Sequence, residues 1–308
     1  MPKLPAYPVF SLIIPVHDSA DFAGRLFDSI PVRDDLEVIV IDDRSTLEQA
    51  KDTRAALEAR GFPHRQWLPN QQRPGPGGAR NTGLDHARGR WIVFADSDDY
   101  FTAAFPAALD TYADAPCDMV LFRPGTAPNP AGRSRTADQE RIFDAGDVNV
   151  VGFNTNTVWG RFARRDLIER GCLRFHETMV SEDVAFAVSC FANARTPVLD
   201  AAVIYLKTIR EGSLMEHPYT MAEQLTQASA MVEKAAIQRR AAPRDILPTV
   251  VPPGRWLLAR AWRTHGWRGL SRMAPRVIGR GLYLSREKNL TRVRLALGIR
   301  RVWERGRA

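Results

Sequence analysis

The first hundred residues alternate between short apolar, β-rich runs and segments in which apolar residues recur at helical spacing. The runs "VFSLIIPV" (9–16), "LEVIVIDD" (36–43) and "WIVFA" (91–95) lack the polar alternation of a half-exposed sheet, which is typical of parallel strands covered on both faces. Residues 19–31 and 45–61 between them have helical spacing and capping residues. The alternation predicts an α/β fold with a mostly parallel central sheet flanked by helices, whose ligands bind beyond the carboxyl ends of the strands.

The rest of the chain gives weaker signals. "CDMVLF" (117–122) and "VLDAAVIYLK" (198–207) are each predicted as one strand, residues 123–147 as a loop or insertion, and 218–240 as a helix. Four prolines at 243, 248, 252 and 253 predict a linker after that helix. We therefore expect an α/β domain at 1–215, a helix with a Pro-rich linker at 216–253, and a helical extension at 254–308.

The extension at 254–308 differs in charge from the rest of the chain. It contains 15 basic residues and two acidic ones, Glu287 and Glu304, which gives the segment a net charge of +13. Because the whole chain has a net charge of +8, the preceding residues have a net charge of −5. Four tryptophans, at 256, 262, 267 and 303, lie among these arginines. Such a segment can bind an anionic membrane surface, the phosphates of a nucleic acid or an acidic partner. We expect the membrane surface, and no nucleic acid.

The cysteines and the N-terminus bear on the compartment. Cys117, Cys172 and Cys190 are scattered and lack metal-ligand spacing, which suits a reducing compartment without a disulfide framework or a zinc site. The N-terminus has no pattern of a signal peptide, and no apolar run approaches the ~18–20 residues of a membrane-spanning helix. We expect a cytoplasmic protein, peripheral on the inner face of the cell membrane.

Carboxylates follow two of the predicted strands. Asp42 and Asp43 end the second run, and "ADSDD" places Asp96, Asp98 and Asp99 after the strand at 91–95. An aspartate after a strand can simply cap the next helix, but one cap does not need three carboxylates. Crowded carboxylates repel one another, and Mg²⁺ commonly takes one or two carboxylates together with phosphate oxygens. The cluster predicts a cation and a diphosphate-containing substrate, and we expect its repulsion to be relieved only when both bind.

Four segments together carry a family resemblance. "SLIIPVHDSADF", "LEVIVIDDRST", "GPGGARNTGLDHARGRWIVFADSDDYF" and "SEDVAF", in this order and spacing, resemble family 2 glycosyltransferases of the GT-A fold. The resemblance spans most of residues 9–213. It implies a nucleotide-sugar donor, a divalent metal (Mn²⁺ or Mg²⁺) and inversion at the anomeric carbon.

The resemblance also implies a set of donor-side residues. Asp98 of the D-x-D pair matches the metal ligand, and Asp96 matches its nucleotide-side companion, whereas Asp99 either assists or is structural. The other residues matched to donor binding are Pro15 and His17 of "PVHD", Asp43 of "IDDRS", Arg80 of "GARN", and Arg210 and Ser213 of "IREGSL". The alternatives are a surface imidazole for His17 and a surface ion pair for Arg210.

The acceptor side is implied by "MVSEDVAF" and "NTVWGRF". Asp183 matches the family's general base on the acceptor hydroxyl, and Glu182 orients the loop or binds acceptor. An acidic first helical turn favoured by the helix dipole is the alternative for both. Trp159 lies either on the acceptor side or in the core.

The resemblance implies non-processive transfer of one sugar from a nucleotide-diphosphate sugar to a glycan or lipid-linked glycan. A UDP-linked donor and cell-surface polysaccharide assembly are the setting we expect. The processive Q-x-x-R-W motif is absent. Two alternatives remain open: a metal-dependent sugar nucleotidyltransferase, and a non-catalytic glycan-binding protein on a transferase scaffold.

Overall fold

The computed structural model describes residues 8–209, 219–250 and 255–278. These residues form two compact units, one on each side of the gap at 210–218. Arg210 and Ser213, expected at the donor, and Trp303 of the extension lie outside the described residues.

The first unit contains two sheets and the helices around them. Its strands are β1 (Phe10–Val16), β2 (Leu36–Asp42), β3 (His64–Pro69), β4 (Trp91–Phe94), β5 (Tyr100–Phe101), β6 (Met119–Phe122), β7 (Gly125–Thr126), β8 (Arg161–Arg164), β9 (Pro197–Asp200) and β10 (Tyr205–Lys207). Its helices are α1 (Ala20–Ser29), α2 (Leu47–Glu58), α3 (Pro76–His86), α4 (Phe105–Tyr112), α5 (Ala137–Asp144), α6 (Val148–Asn154), α7 (Arg165–Arg170) and α8 (Glu182–Asn193).

The large sheet has seven strands in the order β3-β2-β1-β4-β8-β6-β9. β1, β2, β3 and β4 are mutually parallel, and β8 runs antiparallel to both of its neighbours. Ile13 of β1 is in register with Ile39 of β2 and Phe94 of β4. The carboxyl ends of these strands therefore meet at one edge, as the sequence predicted for a mostly parallel sheet.

The core explains why these strands lack polar alternation. Every residue of β2 except Asp42 is buried, and so is every residue of β1 except Pro15. Phe162 of β8 lies at the centre of an aromatic group, with its ring 5.5 Å from that of Phe10 and 4.8 Å from that of Phe122. Because helices cover both faces of the sheet, each strand buries apolar side chains on both sides.

A second sheet, ordered β5-β10-β7, corrects two predictions. The run at 198–207 is not one strand: β9 pairs with β6 in the large sheet, and β10 pairs with β5 and β7 in the small one. Asp200 ends β9, and its side chain accepts a hydrogen bond of 2.8 Å from the backbone N of Ala202, a local turn that competes with the strand. Residues 123–147 are also not a plain loop, since they contain β7 and α5.

The second unit consists of α9 (Met221–Ala241), α10 (Leu247–Val250) and α11 (Arg255–Ile278). α9 begins with a capping box between Thr220 and Glu223 and agrees with the helix predicted at 218–240. The expected linker contains α10, so part of it is helical. α11 packs against α9 and kinks at Gly266, whose φ is 56°. Among the described helices, none combines the length and the hydropathy needed to cross a bilayer.

Candidate active site

Three loops leave the large sheet at the edge where β1, β2 and β4 end. The backbone N of Asp43 donates to the carbonyl O of Val16 over 2.8 Å, and that of Ala95 donates to the carbonyl O of Ile13 over 3.2 Å. These bonds extend the pairing of the strands by one residue and hold the loops side by side. The acidic residues that follow β2 and β4 are thereby brought to one edge.

The carboxylate cluster, defined as Asp96, Asp98 and Asp99, follows β4. Each residue offers one carboxylate oxygen, and these oxygens lie within 4.8 Å of one another. Asp99 is completely buried, whereas Asp96 and Asp98 are partly exposed. The cluster therefore presents two accessible carboxylates above a buried third one.

Lys207 lies among these three carboxylates. Its Nζ donates to Oδ2 of Asp96 over 3.1 Å and to Oδ2 of Asp99 over 3.0 Å, and it is 3.8 Å from Oδ1 of Asp98. β10 delivers it there because Leu206 pairs antiparallel with Tyr100, directly after the cluster. The expectation that only metal and donor would relieve the repulsion is wrong, since an ammonium group of the chain already does so in part.

The two cations around Asp96 control its ionisation. Burial favours the neutral acid, but Lys207 and then Arg80 outweigh it and lower the pKa of Asp96 to about 2. For Asp99 the balance is reversed: burial raises its pKa to about 7 although Lys207 opposes the shift, and the charges of Asp96 and Asp98 add to it. The same carboxylates raise the pKa of Lys207, despite the opposing effect of its burial.

Both carboxylate oxygens of Asp99 accept hydrogen bonds from other groups of the protein. Its Oδ2 accepts a hydrogen bond of 2.8 Å from the Tyr205 hydroxyl, and its Oδ1 accepts one of 2.7 Å from the backbone N of Thr208. The Tyr205 hydroxyl also accepts from the backbone N of Asp96 over 2.8 Å. Trp159 stacks on the Tyr205 ring with centroids 5.5 Å apart, so of its two readings the structure favours the core. Tyr205 and Trp159 thus pack on the buried side of the cluster, which we call its floor.

Arg80 joins the cluster to the start of α8. Its Nη2 donates to Oδ1 of Asp96 and its Nη1 to Oε1 of Glu182, each over 2.7 Å. The guanidinium is buried, which suits a planar fork that satisfies two carboxylates at once. Arg80 was expected at the donor phosphate; in the structure its two terminal nitrogens bind carboxylates of the protein.

Two glycines in α3 allow neighbouring backbone to come very close to this helix. A Cβ on Gly77 would lie 2.0 Å from the carbonyl O of His176 and 3.1 Å from the Cβ of Glu182. A Cβ on Gly78 would lie 2.1 Å from the carbonyl O of Arg73. The backbone of α3 therefore packs directly against the segment that leads into α8 at Gly77, and against the loop that precedes α3 at Gly78.

Asp183 lies in the first turn of α8. Burial and the neighbouring carboxylate of Glu182 raise its pKa to about 7, Arg80 lowers it, and Asp96 raises it further. Ser181, just before the helix, has a φ of 58°, an uncommon conformation for a residue other than glycine. A carboxylate with a pKa close to neutrality is well suited to accept a proton in general base catalysis.

The loops after β1 and β2 hold the other donor-side candidates. Asp43 accepts hydrogen bonds from Nδ2 of Asn70 over 2.7 Å and from the backbone N of Gly75 over 2.6 Å, so its carboxylate fastens the loop before α3. His17 has an exposed side chain, and its Nδ1 is 2.9 Å from the carbonyl O of Asp43. Pro15 is in register with Ile41, inside the sheet.

The chemistry of the donor set fits a hard divalent cation. Carboxylate oxygens are the ligands that Mg²⁺ and Mn²⁺ prefer, and the cluster offers three of them close together. Asp99 uses both of its oxygens for Lys207, Tyr205 and Thr208. Asp96 also accepts hydrogen bonds at both oxygens, but Asp96 and Asp98 are partly exposed, whereas Asp99 is completely buried. Because a ligand must be accessible to the ion, Asp98 and Asp96 are the residues that would hold it.

Sequence reasoning missed Lys207 and Tyr205, two of the side chains that organise the cluster. Both lie in "VIYLK", which was read as the end of a single strand. The sequence signal that could have found them is Asp200, a turn former in the middle of that apolar run.

Comparison with known proteins identifies the family. The model of glycosyl transferase family 2 matches residues 11–171, just over half of the chain. The chain belongs to glycosyl transferase family 2. The match includes the cluster, Arg80 and Trp159, and it ends before Asp183.

This chain matches only part of the length of its curated relatives. The succinoglycan biosynthesis protein ExoO of Rhizobium meliloti (strain 1021) is 28% identical over 228 residues, which are 69% of this chain and 64% of ExoO. The poly(ribitol-phosphate) beta-N-acetylglucosaminyltransferase TarS of Staphylococcus aureus (strain MW2) is 26% identical over 233 residues, 72% of this chain and 39% of TarS. This chain therefore spans between 39% and 64% of these relatives.

Solved structures confirm the GT-A fold. Residues 1–349 of S. aureus TarS in complex with UDP-GlcNAc superpose with a TM-score of 0.66 and 22% identity, over 88% of this chain and 79% of that one. A mannosyltransferase from Pyrobaculum calidifontis in complex with GDP-Man and Mn²⁺ has a TM-score of 0.57 and 20% identity, over 97% of this chain and 82% of that one. At these identities the similarity concerns the fold.

Proposed function

We propose that this chain transfers one sugar from a nucleotide-diphosphate sugar, UDP-linked, to a glycan or lipid-linked glycan, with inversion at the anomeric carbon. The observation that carries the proposal is the ion network at the sheet edge. It runs from the carboxylate cluster through Arg80 to Glu182, beside Asp183. Family membership and the relatives named for succinoglycan and poly(ribitol-phosphate) support cell-surface polysaccharide assembly as the setting.

The residues divide the reaction between two ends of this network. Asp183 takes the proton of the acceptor hydroxyl as that oxygen bonds to the anomeric carbon. The bond from this carbon to the diphosphate breaks at the same time, and the nucleoside diphosphate leaves on the opposite face. Asp98 and Asp96 would hold a divalent cation, which would supply stabilisation of the negative charge on the departing diphosphate. His17, Asp43 and the segment with Arg210 and Ser213 contact the donor.

The test is donor turnover and its products. With Mn²⁺ and a panel of UDP-, GDP-, dTDP- and CMP-linked sugars, we expect one donor to raise the melting temperature by mass action and to be hydrolysed slowly to a nucleoside diphosphate. Asp98→Asn should abolish hydrolysis and leave the circular dichroism spectrum unchanged. Asp34→Asn, an exposed aspartate just before β2 at the opposite edge of the sheet, is the control.

The products separate the alternatives. Release of pyrophosphate instead of a nucleoside diphosphate would identify a nucleotidyltransferase. Binding of a glycan with no turnover of any donor would identify a non-catalytic scaffold. Equal hydrolysis by wild type and Asp98→Asn would contradict the assignment of the metal ligand.

A second part of the proposal concerns the membrane. Trp262 and Trp267 of α11 are exposed, with ring centroids 5.1 Å apart, and exposed Arg263 and Arg268 follow them directly. Tryptophan beside arginine suits the interface of an anionic bilayer. We place the protein in the cytoplasm, on the inner face of the membrane, through residues 254–308. Flotation with vesicles containing phosphatidylglycerol should be lost in Trp262→Ala/Trp267→Ala, and absence of wild-type flotation would refute this part.

A further inference from the structure

The ammonium group of Lys207 lies among the carboxylates of the cluster, at a position that would also favour a metal ion. Its Nζ is 3.0 and 3.1 Å from oxygens of Asp99 and Asp96, and 3.8 Å from one of Asp98. Three carboxylates within 4.8 Å would otherwise form a strongly negative site. The ammonium group removes one unit of that charge, and Arg80 withdraws more through its bond to Asp96.

Strand pairing and the hydrogen bonds of neighbouring residues fix the position of Lys207. The strand pairing of Leu206 with Tyr100 sets β10 beside the chain that follows Asp99. The backbone N of Thr208 donates to Oδ1 of Asp99 over 2.7 Å, and the Tyr205 hydroxyl donates to Oδ2 over 2.8 Å. Residues on both sides of Lys207 therefore anchor it to the same buried carboxylate.

We propose that Lys207 is a built-in counterion that keeps the affinity of the cluster for a free divalent cation low, so that the metal binds well only together with the donor diphosphate. The inference rests on the proposed function, because it presumes a metal at Asp98 and Asp96. The diphosphate supplies the negative charge that Lys207 has cancelled. Metal binding and nucleotide binding are then coupled, and by linkage each strengthens the other by the same factor.

The size of the effect follows from Coulomb's law. Charges of +1 and +2 separated by about 4 Å, even screened as in bulk water, repel each other enough to weaken binding by about 30-fold. Lys207 can withdraw when the ion enters, but it then loses two hydrogen bonds to buried or partly buried carboxylates. We therefore expect its removal to strengthen the binding of the free ion by at least about tenfold.

The experiment is titration calorimetry with MnCl2 on the full chain, with and without saturating UDP, at about pH 8 so that the carboxylates are ionised. Wild type should bind Mn²⁺ weakly alone and at least about tenfold more tightly with UDP. Lys207→Met should bind Mn²⁺ alone at least about tenfold more tightly than wild type, and UDP should then add less. Lys207→Arg, which keeps the charge, should resemble wild type even if Lys207→Met folds poorly.

Controls separate this inference from the function on which it rests. Lys51→Met removes an exposed lysine of α2 and should change the Mn²⁺ affinity less than twofold. Asp98→Asn should abolish Mn²⁺ binding. If Lys207→Met binds Mn²⁺ as wild type does while Asp98→Asn does not bind it, the counterion role is refuted and the metal site stands. If Asp98→Asn binds Mn²⁺ normally, the metal assignment itself fails.

Discussion

Arg80→Met is the substitution whose effect on the site can be worked out most fully. Arg80 is buried, and its two terminal nitrogens lie 2.7 Å from carboxylate oxygens of Asp96 and Glu182. Methionine keeps much of the length but leaves both carboxylates without this cation. Removing one partner of a buried ion pair typically costs about 3–5 kcal/mol. We expect a loss of that size in the free energy of unfolding at neutral pH.

The loss should depend on pH, and its sign follows from the pKa values. Asp183 has a pKa of about 7 in the folded protein against an ordinary value of 3.8. Between these values the folded state keeps a proton that the unfolded chain releases, so this group makes wild type less stable as pH rises. Asp96, with a folded pKa of about 2, contributes stability above pH 3.8 that is lost as pH falls toward 2.

Arg80 lowers the pKa of both groups, so its removal should raise both. For Asp183, the pH range over which stability falls as pH rises then extends to higher pH. For Asp96, the stability that its ionised form contributes becomes smaller or changes sign. Between about pH 5 and pH 8 the penalty of Arg80→Met should therefore grow chiefly above about pH 7, where Asp183 is ionised in folded wild type and still protonated in the folded variant, by up to about 1.4 kcal/mol per pH unit. Asp96 adds to the penalty from about pH 2 up to its raised pKa in the variant. Urea unfolding followed by circular dichroism at several pH values measures it.

Arg88→Met is the matched control. Arg88 also pairs with a buried carboxylate, that of Glu37, over 3.0 Å. Glu37 keeps hydrogen bonds from Ser11 Oγ and from the backbone N of Arg88 and Gly89 after the substitution. The loss should be smaller, about 1–3 kcal/mol, because the buried carboxylate remains hydrogen-bonded. A penalty for Arg80→Met that does not change with pH would show that Arg80 does not control the ionisation of Asp96 and Asp183.

Three further predictions concern the base, the helix packing and the floor of the cluster. Because the folded pKa of Asp183 is about 7 and a base must be ionised, kcat/KM should rise with pH up to about 7 and then level off; Asp183→Asn should abolish transfer but keep the donor-induced rise in melting temperature. Gly77→Ala should lower the free energy of unfolding by about 1–3 kcal/mol, since its Cβ would lie 2.0 Å from a backbone oxygen, whereas Gly24→Ala in α1, with nothing within 4 Å, should raise it by about 0.5–1 kcal/mol in the same urea assay. Tyr205→Phe should cost about 1–3 kcal/mol, because it removes the 2.8 Å hydrogen bond to buried Asp99, and an unchanged urea midpoint would contradict that role.

The strands β1, β2 and β4, their parallel direction and the edge on which the site lies were predictable from the sequence, because runs such as "LEVIVIDD" are apolar on both faces and end in aspartate. The antiparallel strand β8, which pairs with β4 and β6, was not predicted. The cluster is also local, since Asp96, Asp98 and Asp99 are neighbours in the chain. Features that depend on three or four consecutive residues were therefore visible without the structure.

The partners of the cluster were not predictable, because they are distant in sequence. Lys207 reaches Asp99 from 108 positions further along the chain, through a three-residue strand that the apolar run concealed. The resemblance matched Arg80 to the donor, and an arginine suits phosphate as well as it suits a carboxylate. Only the folded chain shows that its guanidinium is buried between two carboxylates. Local chemistry predicts which charges are present, and tertiary contacts decide how they pair.

The pairing makes the two ends of the site electrostatically dependent on each other. Asp96 accepts from Lys207 through one oxygen and from Arg80 through the other, and Arg80 continues the network to Glu182. A change of charge beside Asp96, such as the removal of Lys207, therefore alters the field at Asp183, whose pKa depends on both Arg80 and Asp96. Charges in one such network do not act additively. Because the charge of Asp96 raises the pKa of Asp183, removing that charge by Asp96→Asn should lower the pKa of Asp183.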